Sequence, residues 1–279
     1  MWQDLWQTLP LSFDPVAFSL GPITVRWYGL MYIVAFAIVY ALTLYRLKQE
    51  KFAGKLPKSD KERRELLESV LTYGVFGVIL GGRLGYFLFY ETAIFWTKPW
   101  LIFWPFSNGE FVGLSGMSFH GGLIGVILAL LIFSRLHKQK FWTVAELLLP
   151  AIPLGYFFGR VGNYLNGELW GRATASPIGQ LFVGAGDLPR HPSQLYEAFF
   201  EGLVLFGLLW LLRKKLSGAN LLAMFLAGYG FVRFVIEYFR EPDAHLGLIG
   251  GFLSQGQILC LLMIIAGAVV WYLGRRGRI

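Results

Sequence analysis

Residues 28–45 read Tyr28-Gly29-Leu30-Met31-Tyr32-Ile33-Val34-Ala35-Phe36-Ala37-Ile38-Val39-Tyr40-Ala41-Leu42-Thr43-Leu44-Tyr45, without one charged side chain. As a helix rising 1.5 Å per residue, the run is about 27 Å long, close to the ~30 Å hydrocarbon core of a bilayer. An amphipathic helix of a soluble domain would carry a polar face, and this run has none. Arg46, Lys48 and Lys51 follow at once, as basic residues do on the cytoplasmic side of a membrane segment.

Six further segments have the same character: Ser69–Tyr90, Met117–Ser134, Trp142–Val161, Pro192–Leu212, Leu221–Tyr238 and Ser254–Leu273. The chain of 279 residues is 56% hydrophobic and only 15% charged, against about 25% charged in a soluble domain. A soluble enzyme and a disordered chain are both excluded. Glycine, at 34 residues, is as plentiful as close-packed membrane helices require. The expectation is an all-α polytopic membrane protein, one integral domain over 1–279 with seven transmembrane helices. No internal repeat of the kind found in many transporters is visible.

The net charge of +8 does not point to nucleic acid, because the basic residues stand in blocks between apolar segments. The blocks are Arg46 through Arg64, Arg135 to Lys140, Arg213 to Lys215, and Arg275, Arg276 and Arg278. All four fall on one side of a seven-helix thread, which the positive-inside rule makes cytoplasmic. The N-terminus is then outside and the C-terminus inside. The first twenty residues lack the pattern of a secretory signal. Within them Trp2, Leu5, Trp6 and Leu9 share one helical face, which predicts an interfacial arm over 1–20. Residues 162–191 are too polar to span and predict a small external cap. Trp96, Trp100 and Trp104 mark an outer interfacial loop. Cys260, the single cysteine, excludes a disulfide framework and a cysteine-built metal site.

Ionisable groups inside membrane segments are costly and are functional hypotheses for that reason. Arg83 lies in Gly81-Gly82-Arg83-Leu84-Gly85-Tyr86, and His120 in Ser118-Phe119-His120-Gly121-Gly122. Arg160 opens Arg160-Val161-Gly162-Asn163-Tyr164-Leu165-Asn166-Gly167-Glu168. Arg233, Glu237 and Arg240 follow at i, i+4, i+7. Each also has a structural reading. Arg233 with Glu237 would be an ion pair that holds helices together, Arg83 a brace, His120 a helix-start histidine, and Asn163 and Asn166 helix-end caps. Glu197 and Glu201 read as helix-start carboxylates, Glu146 as a solvated charge, and Cys260 as packing. By topology Arg83, His120, Arg160, Arg233 and Arg240 reach the same leaflet. Guanidiniums gathered at one depth need an anion, and arginine holds phosphate through a planar fork that lysine lacks. The pattern suits an anionic lipid headgroup.

These stretches resemble the prolipoprotein diacylglyceryl transferase family. The match also covers Arg26-Trp27-Tyr28-Gly29-Leu30-Met31-Tyr32, Trp170-Gly171-Arg172, Leu188-Pro189-Arg190-His191-Pro192-Ser193-Gln194-Leu195-Tyr196-Glu197 and Glu241-Pro242-Asp243, in family order over nearly the whole chain. The resemblance implies an enzyme of the bacterial inner membrane. It would move a diacylglyceryl group from phosphatidylglycerol to the lipobox cysteine of a preprolipoprotein signal peptide, releasing glycerol 1-phosphate. It implies neither metal nor organic cofactor, and membrane lipids as surroundings. The stretch from Ala173 to Leu188 is shorter than the family's external head region.

The residues fit that chemistry. A peptide thiol must lose its proton to attack carbon, and His120 is the expected base. Arg160 and Arg233 would stabilise the departing phosphate, with Glu237 orienting Arg233. Tyr28, Arg83, Asn163, Asn166, Glu168 and Arg240 would bind the headgroup. A transporter is the competing reading on physics alone, but it would need polar groups through the whole depth. A retinal protein would need a lysine in the seventh helix, which has none.

Overall fold

The computed structural model describes the chain apart from residues 1, 22, 53–55, 58, 105, 108–109, 112–115, 217, 242–247, 250–251 and 278–279, and apart from the side chains of 23, 89, 107, 110–111, 119–120 and 248–249. The helices in order are α1 (Trp2–Thr8), α2 (Trp27–Gln49), α3 (Asp60–Phe89), α4 (Thr92–Thr97), α5 (Phe119–Leu136), α6 (Phe141–Leu148), α7 (Ile152–Leu165), α8 (Ser193–Glu197), α9 (Leu205–Leu212), α10 (Gly218–Ile236) and α11 (Gln255–Arg275). A π-helical stretch, Ala198–Val204, joins α8 to α9 in one continuous span.

Every expected membrane segment holds helix. Five spans among the described residues are long and apolar enough to cross, α2, α3, α8 with α9, α10 and α11, and α5 is a shorter apolar helix. The protein is a multi-pass, mostly helical membrane protein. Its outer faces fit lipid: Ile33, Leu211, Leu262 and Ile265 are all more than half exposed, which water would penalise and hydrocarbon does not.

The fourth segment departs from a single straight helix. It is α6 and α7, bent by 53° at residues 149–151. Pro150 and Pro153 explain the break, since neither has an N–H and each ring crowds the preceding turn. Freed carbonyls in a membrane need partners. Arg46 supplies them: its Nη1 donates to the carbonyls of Glu146 and, at 2.7 Å, Leu147. Glu50 accepts from Arg46 Nε at 2.9 Å and Arg213 Nε at 2.6 Å. Arg46, read from sequence as the head of a basic block, and Glu146, read as a solvated or dipole-placed charge, are both buried.

The chain divides into two compact units, Met1–Glu50 with Ala145–Ile279, and Lys51–Val144. In the second unit α3 and α5 touch backbone to backbone. A Cβ added at Gly125 would lie 2.1 Å from the Gly77 carbonyl oxygen, and one at Gly81 2.3 Å from that of Gly121. Only glycine permits this approach, the small-residue packing typical of membrane helices. Ser59 caps α3 by accepting from the Glu62 amide at 3.2 Å.

In the first unit α2 packs on α7 and α10 on α11. Ala145, Leu149, Leu205, Leu209 and Leu221 form a buried cluster around the helices that carry the site. A hairpin of two strands, Val16–Leu20 and Ile23–Arg26, leads directly into α2. The polar stretch after α7 is folded about Tyr164, Phe182 and Ala185, with Phe13, Trp170 and Leu195 against them. The N-terminal helix is tied to it: Trp6 Nε1 donates to the Ile178 carbonyl at 3.0 Å, and Gln180 Nε2 to the Trp6 carbonyl at 2.9 Å. Trp6 thus packs with the stretch after α7, while Trp2 and Leu5 stay exposed.

Candidate active site

Three segments of the first unit bring six charged side chains together. Arg160 stands on α7; Glu197 ends α8 and Glu201 lies in the π-helical stretch; Arg233 is on α10, with Glu237 and Arg240 on the turn after it. Arg233, Glu237 and Arg240 share a side because residues three and four apart are neighbours on a helix. A π-helical turn inside a longer helix is uncommon and recurs at functional sites. Here it carries Glu201, and Glu197 immediately precedes it.

Glu197 is the centre. Its Oε2 lies 2.8 Å from Arg160 Nε and 3.2 Å from Arg233 Nη1, and its Oε1 accepts from Arg240 Nη1 at 2.9 Å. Tyr156 donates its hydroxyl to Oε2 at 3.3 Å and accepts from Arg160 Nε at 2.7 Å. Glu237 Oε2 lies 3.3 Å from Arg233 Nε and 3.6 Å from Arg240 Nε, and its other oxygen accepts from Ser254 Oγ at 3.1 Å. Glu201 Oε1 is 3.7 Å from Arg233 Nη1, too far for a hydrogen bond. Glu197 and Glu201 are buried, and about one-sixth of each guanidinium side chain is exposed. Three arginines face three acidic side chains, which offsets the cost of a row of lone buried cations.

A chain of hydrogen bonds leads from the cluster to Glu168, beyond the end of α7. Arg160 Nη1 donates to Asn163 Oδ1 at 3.1 Å, and Asn163 Nδ2 donates to Glu168 Oε1 at 2.9 Å. Asn166 Nδ2 reaches the same oxygen at 3.5 Å. α7 runs to Leu165, so Asn163 is helical and Asn166 is the residue at its end. Tyr28 lies against this part of α7: a Cβ added at Gly162 would meet the Tyr28 backbone at 3.3 Å. The Tyr28 hydroxyl is 2.9 Å from that of Tyr32. Arg172 holds Arg240 by its backbone, its Nε donating to the Arg240 carbonyl at 2.7 Å.

Arg83 and His120 belong to the second unit. Arg83 is buried, donating to the carbonyls of Ile102 at 2.6 Å and Gly116 at 3.0 Å, with its guanidinium over the Phe87 ring. That geometry fastens Ile102 and Gly116 to α3. His120 is in the first turn of α5, and its side chain lies outside the described residues, as do Pro242 and Asp243.

Arg160 pairs with Glu197 of another helix, not with Glu168, the nearest carboxylate that follows it in the chain. Sequence proximity gave no sign of it. The available signal was two acids four apart, Glu197 and Glu201, within an apolar span. Their position near a helix start made the dipole a sufficient explanation. His191, beside the site, is partly buried, and burial lowers its pKa from the usual 6.5; its Nδ1 is 3.0 Å from the Tyr196 hydroxyl.

The family model described as prolipoprotein diacylglyceryl transferase matches residues 15–273. The chain belongs to this family. A relative from Chlorobaculum tepidum is 53% identical over 274 residues, covering 95% of this chain and 92% of the relative. One from Bordetella avium is 49% identical over 267 residues, covering 95% and 96%. One from Oleidesulfovibrio alaskensis is 49% identical over 261 residues, covering 93% and 92%. All three carry the name phosphatidylglycerol–prolipoprotein diacylglyceryl transferase. Membership makes the chain a transferase. The resemblance seen in the sequence motifs is thereby established at family level.

Proposed function

We propose that this protein transfers the diacylglyceryl group of phosphatidylglycerol to the thiol of a lipobox cysteine in a preprolipoprotein, the first step of bacterial lipoprotein maturation. The setting is the bacterial inner membrane, with seven crossings, the N-terminus outside and the basic blocks in the cytoplasm. The observation that carries the reading is the convergence of Arg160, Arg233 and Arg240 on the single carboxylate of Glu197. Such an arrangement holds three guanidiniums in place before an anion arrives, and an entering phosphate competes with Glu197 for their donors.

In the reaction the peptide sulfur attacks the lipid carbon, a sulfur–carbon bond forms, and the carbon–oxygen bond to phosphate breaks. The thiol proton goes to His120, and the electron pair of the broken bond leaves on the phosphate as glycerol 1-phosphate. The substitution involves no net oxidation or reduction. The phosphate gains negative charge as it departs, and arginines already oriented toward it stabilise the transition state more than the bound lipid. Arg160 and Arg233 have that role, Glu237 orients Arg233, and Arg240 with Tyr28, Asn163, Asn166 and Glu168 binds the headgroup. Arg83 is a further proposed headgroup-binding residue.

The test is to incubate purified protein with phosphatidylglycerol and a lipobox peptide and to weigh the peptide. A mass gain of one diacylglyceryl group that resists neutral hydroxylamine, with release of glycerol 1-phosphate, is expected. An unmodified peptide, or a hydroxylamine-labile acyl peptide, would overturn the reading.

A further inference from the structure

The turn that ends α5 has a backbone suited to glycine. The Gln139 amide donates to the Ser134 carbonyl at 2.9 Å, and the Lys138 amide to that of Arg135 at 3.4 Å. This crossed pair is the Schellman ending of a helix, in which the residue at the place of Lys138 takes the left-handed conformation. Lys138 takes it, at φ +53°. Glycine is the usual occupant, because any other side chain crowds the backbone there. The pull of a helix C-terminus on a cation does not explain the lysine, since Arg135 already stands in the last turn. A charge that only sets orientation in the membrane has no need of this backbone position either. Strain kept at one residue points to a use for its side chain.

Lys138 lines an open groove of about 370 Å³ with Leu131, Ser134, Arg135, Gln139 and Phe141. Two of these residues are cations and none is acidic. Arg135 and Lys138 are exposed, while Leu131 and Phe141 are half-buried. Beside the groove Ile132 and Leu136, 51% and 65% exposed, form an apolar strip one helical turn apart, a surface for hydrocarbon rather than water. α5 has 18 residues, so this end lies about 27 Å from the first turn, where His120 stands. The groove therefore meets the leaflet opposite the one at which α5 begins. We infer that it binds an anionic phospholipid of that leaflet. The phosphate sits between Arg135 and Lys138 through charge-assisted hydrogen bonds, and the first acyl carbons lie against Leu131 and Phe141. A free phosphate would use the cations and leave the apolar walls without a partner. The site rests on α5 crossing a bilayer and is independent of the transfer reaction.

The experiment places the full chain in phosphatidylcholine nanodiscs with a phosphatidic acid that carries a photoactivatable diazirine near the head of one acyl chain. Crosslinked peptides are mapped by mass spectrometry. Crosslinks should fall on residues 131–141, and excess unlabelled phosphatidic acid should suppress them where inorganic phosphate and added phosphatidylcholine do not. Lys138→Gly should lower the yield at this segment by about fivefold or more. Its unfolding midpoint in neutral, lipid-free detergent should stay at or above that of the wild type, because glycine relieves the left-handed turn. A lysine that served only the helix end would not show weaker lipid capture together with undiminished stability. Arg135→Gln, at an exposed helical position, should lower the yield in the same way and decides the matter if Lys138→Gly is destabilised. Absence of crosslinks on 131–141, an unchanged yield in the deciding variant, or equal suppression by inorganic phosphate or phosphatidylcholine would overturn the site.

Discussion

Arg160 and Glu197 meet at 2.8 Å across two helices, and the same carboxylate holds Arg233 and Arg240. A buried carboxylate that satisfies three guanidiniums organises all of them at once. Removing it leaves cations in a place where solvent cannot answer them, and breaking such a buried set costs about 3–5 kcal/mol.

Glu197→Gln keeps the shape and deletes the charge. Its thermal midpoint in neutral detergent should fall clearly below wild type. Added phosphatidylglycerol should then raise the variant's midpoint more than the wild type's, because the lipid phosphate supplies the missing anion. Equal ligand-induced shifts would mean that the phosphate does not enter this cluster.

His120→Gln tests the base. Glutamine keeps a hydrogen-bonding group but takes no proton near neutrality. Phosphatidylglycerol binding should persist while turnover falls by about 10²–10⁴-fold, the usual range for a general base. Part of the loss should return at alkaline pH, where the peptide thiol ionises unaided. A defect that does not change with pH would assign His120 to positioning.

The contact between α3 and α5 leaves no room for a methyl group. Gly125→Ala would place a carbon 2.1 Å from the Gly77 carbonyl oxygen, so the helices must separate. Overpacking of this kind costs about 1–3 kcal/mol. Gly74, on the same helix α3, has nothing within 4 Å of an added Cβ, and Gly74→Ala should leave the unfolding midpoint unchanged or slightly raised. Equal behaviour of the two variants would contradict the close approach.

Cys260 is buried in α11, next to Gly230 of α10, and serves packing. Cys260→Ala should retain lipid transfer near the wild-type rate, because the sulfur that reacts belongs to the substrate. Loss of transfer in a folded variant would place this thiol in the chemistry.

The membrane class and the helix positions were legible because apolar runs without charge have few other interpretations. The run 28–45 lies wholly within α2. The break between α6 and α7 was foreshadowed by Pro150 and Pro153 but read as continuous, since membrane helices tolerate proline when neighbours restore the lost bonds. Arg46 does that restoring, and its burial was hidden by its place at the head of a basic block. The arginines of the site were legible because charge is costly inside a membrane. Their shared partner was not, because Glu197 pairs with residues of two other helices, and one-dimensional spacing does not report such contacts. The motif beginning at Arg160 was found as a unit, and its wiring through Asn163 to Glu168 follows its order in the chain.

In the proposed mechanism the arginine cluster receives the phosphate through planar, multiply bonded guanidiniums. Arg160→Lys tests it most directly. Arg160 Nε serves Tyr156 and Glu197 while Nη1 serves Asn163, and a single ammonium cannot occupy both positions. Transfer and phosphatidylglycerol binding should be measured together in membranes containing the inserted, folded variant. The account predicts that Arg160→Lys, like Arg160→Gln, nearly abolishes transfer and weakens lipid binding. A wild-type rate in Arg160→Lys would contradict it and move the phosphate to Arg233 or Arg240.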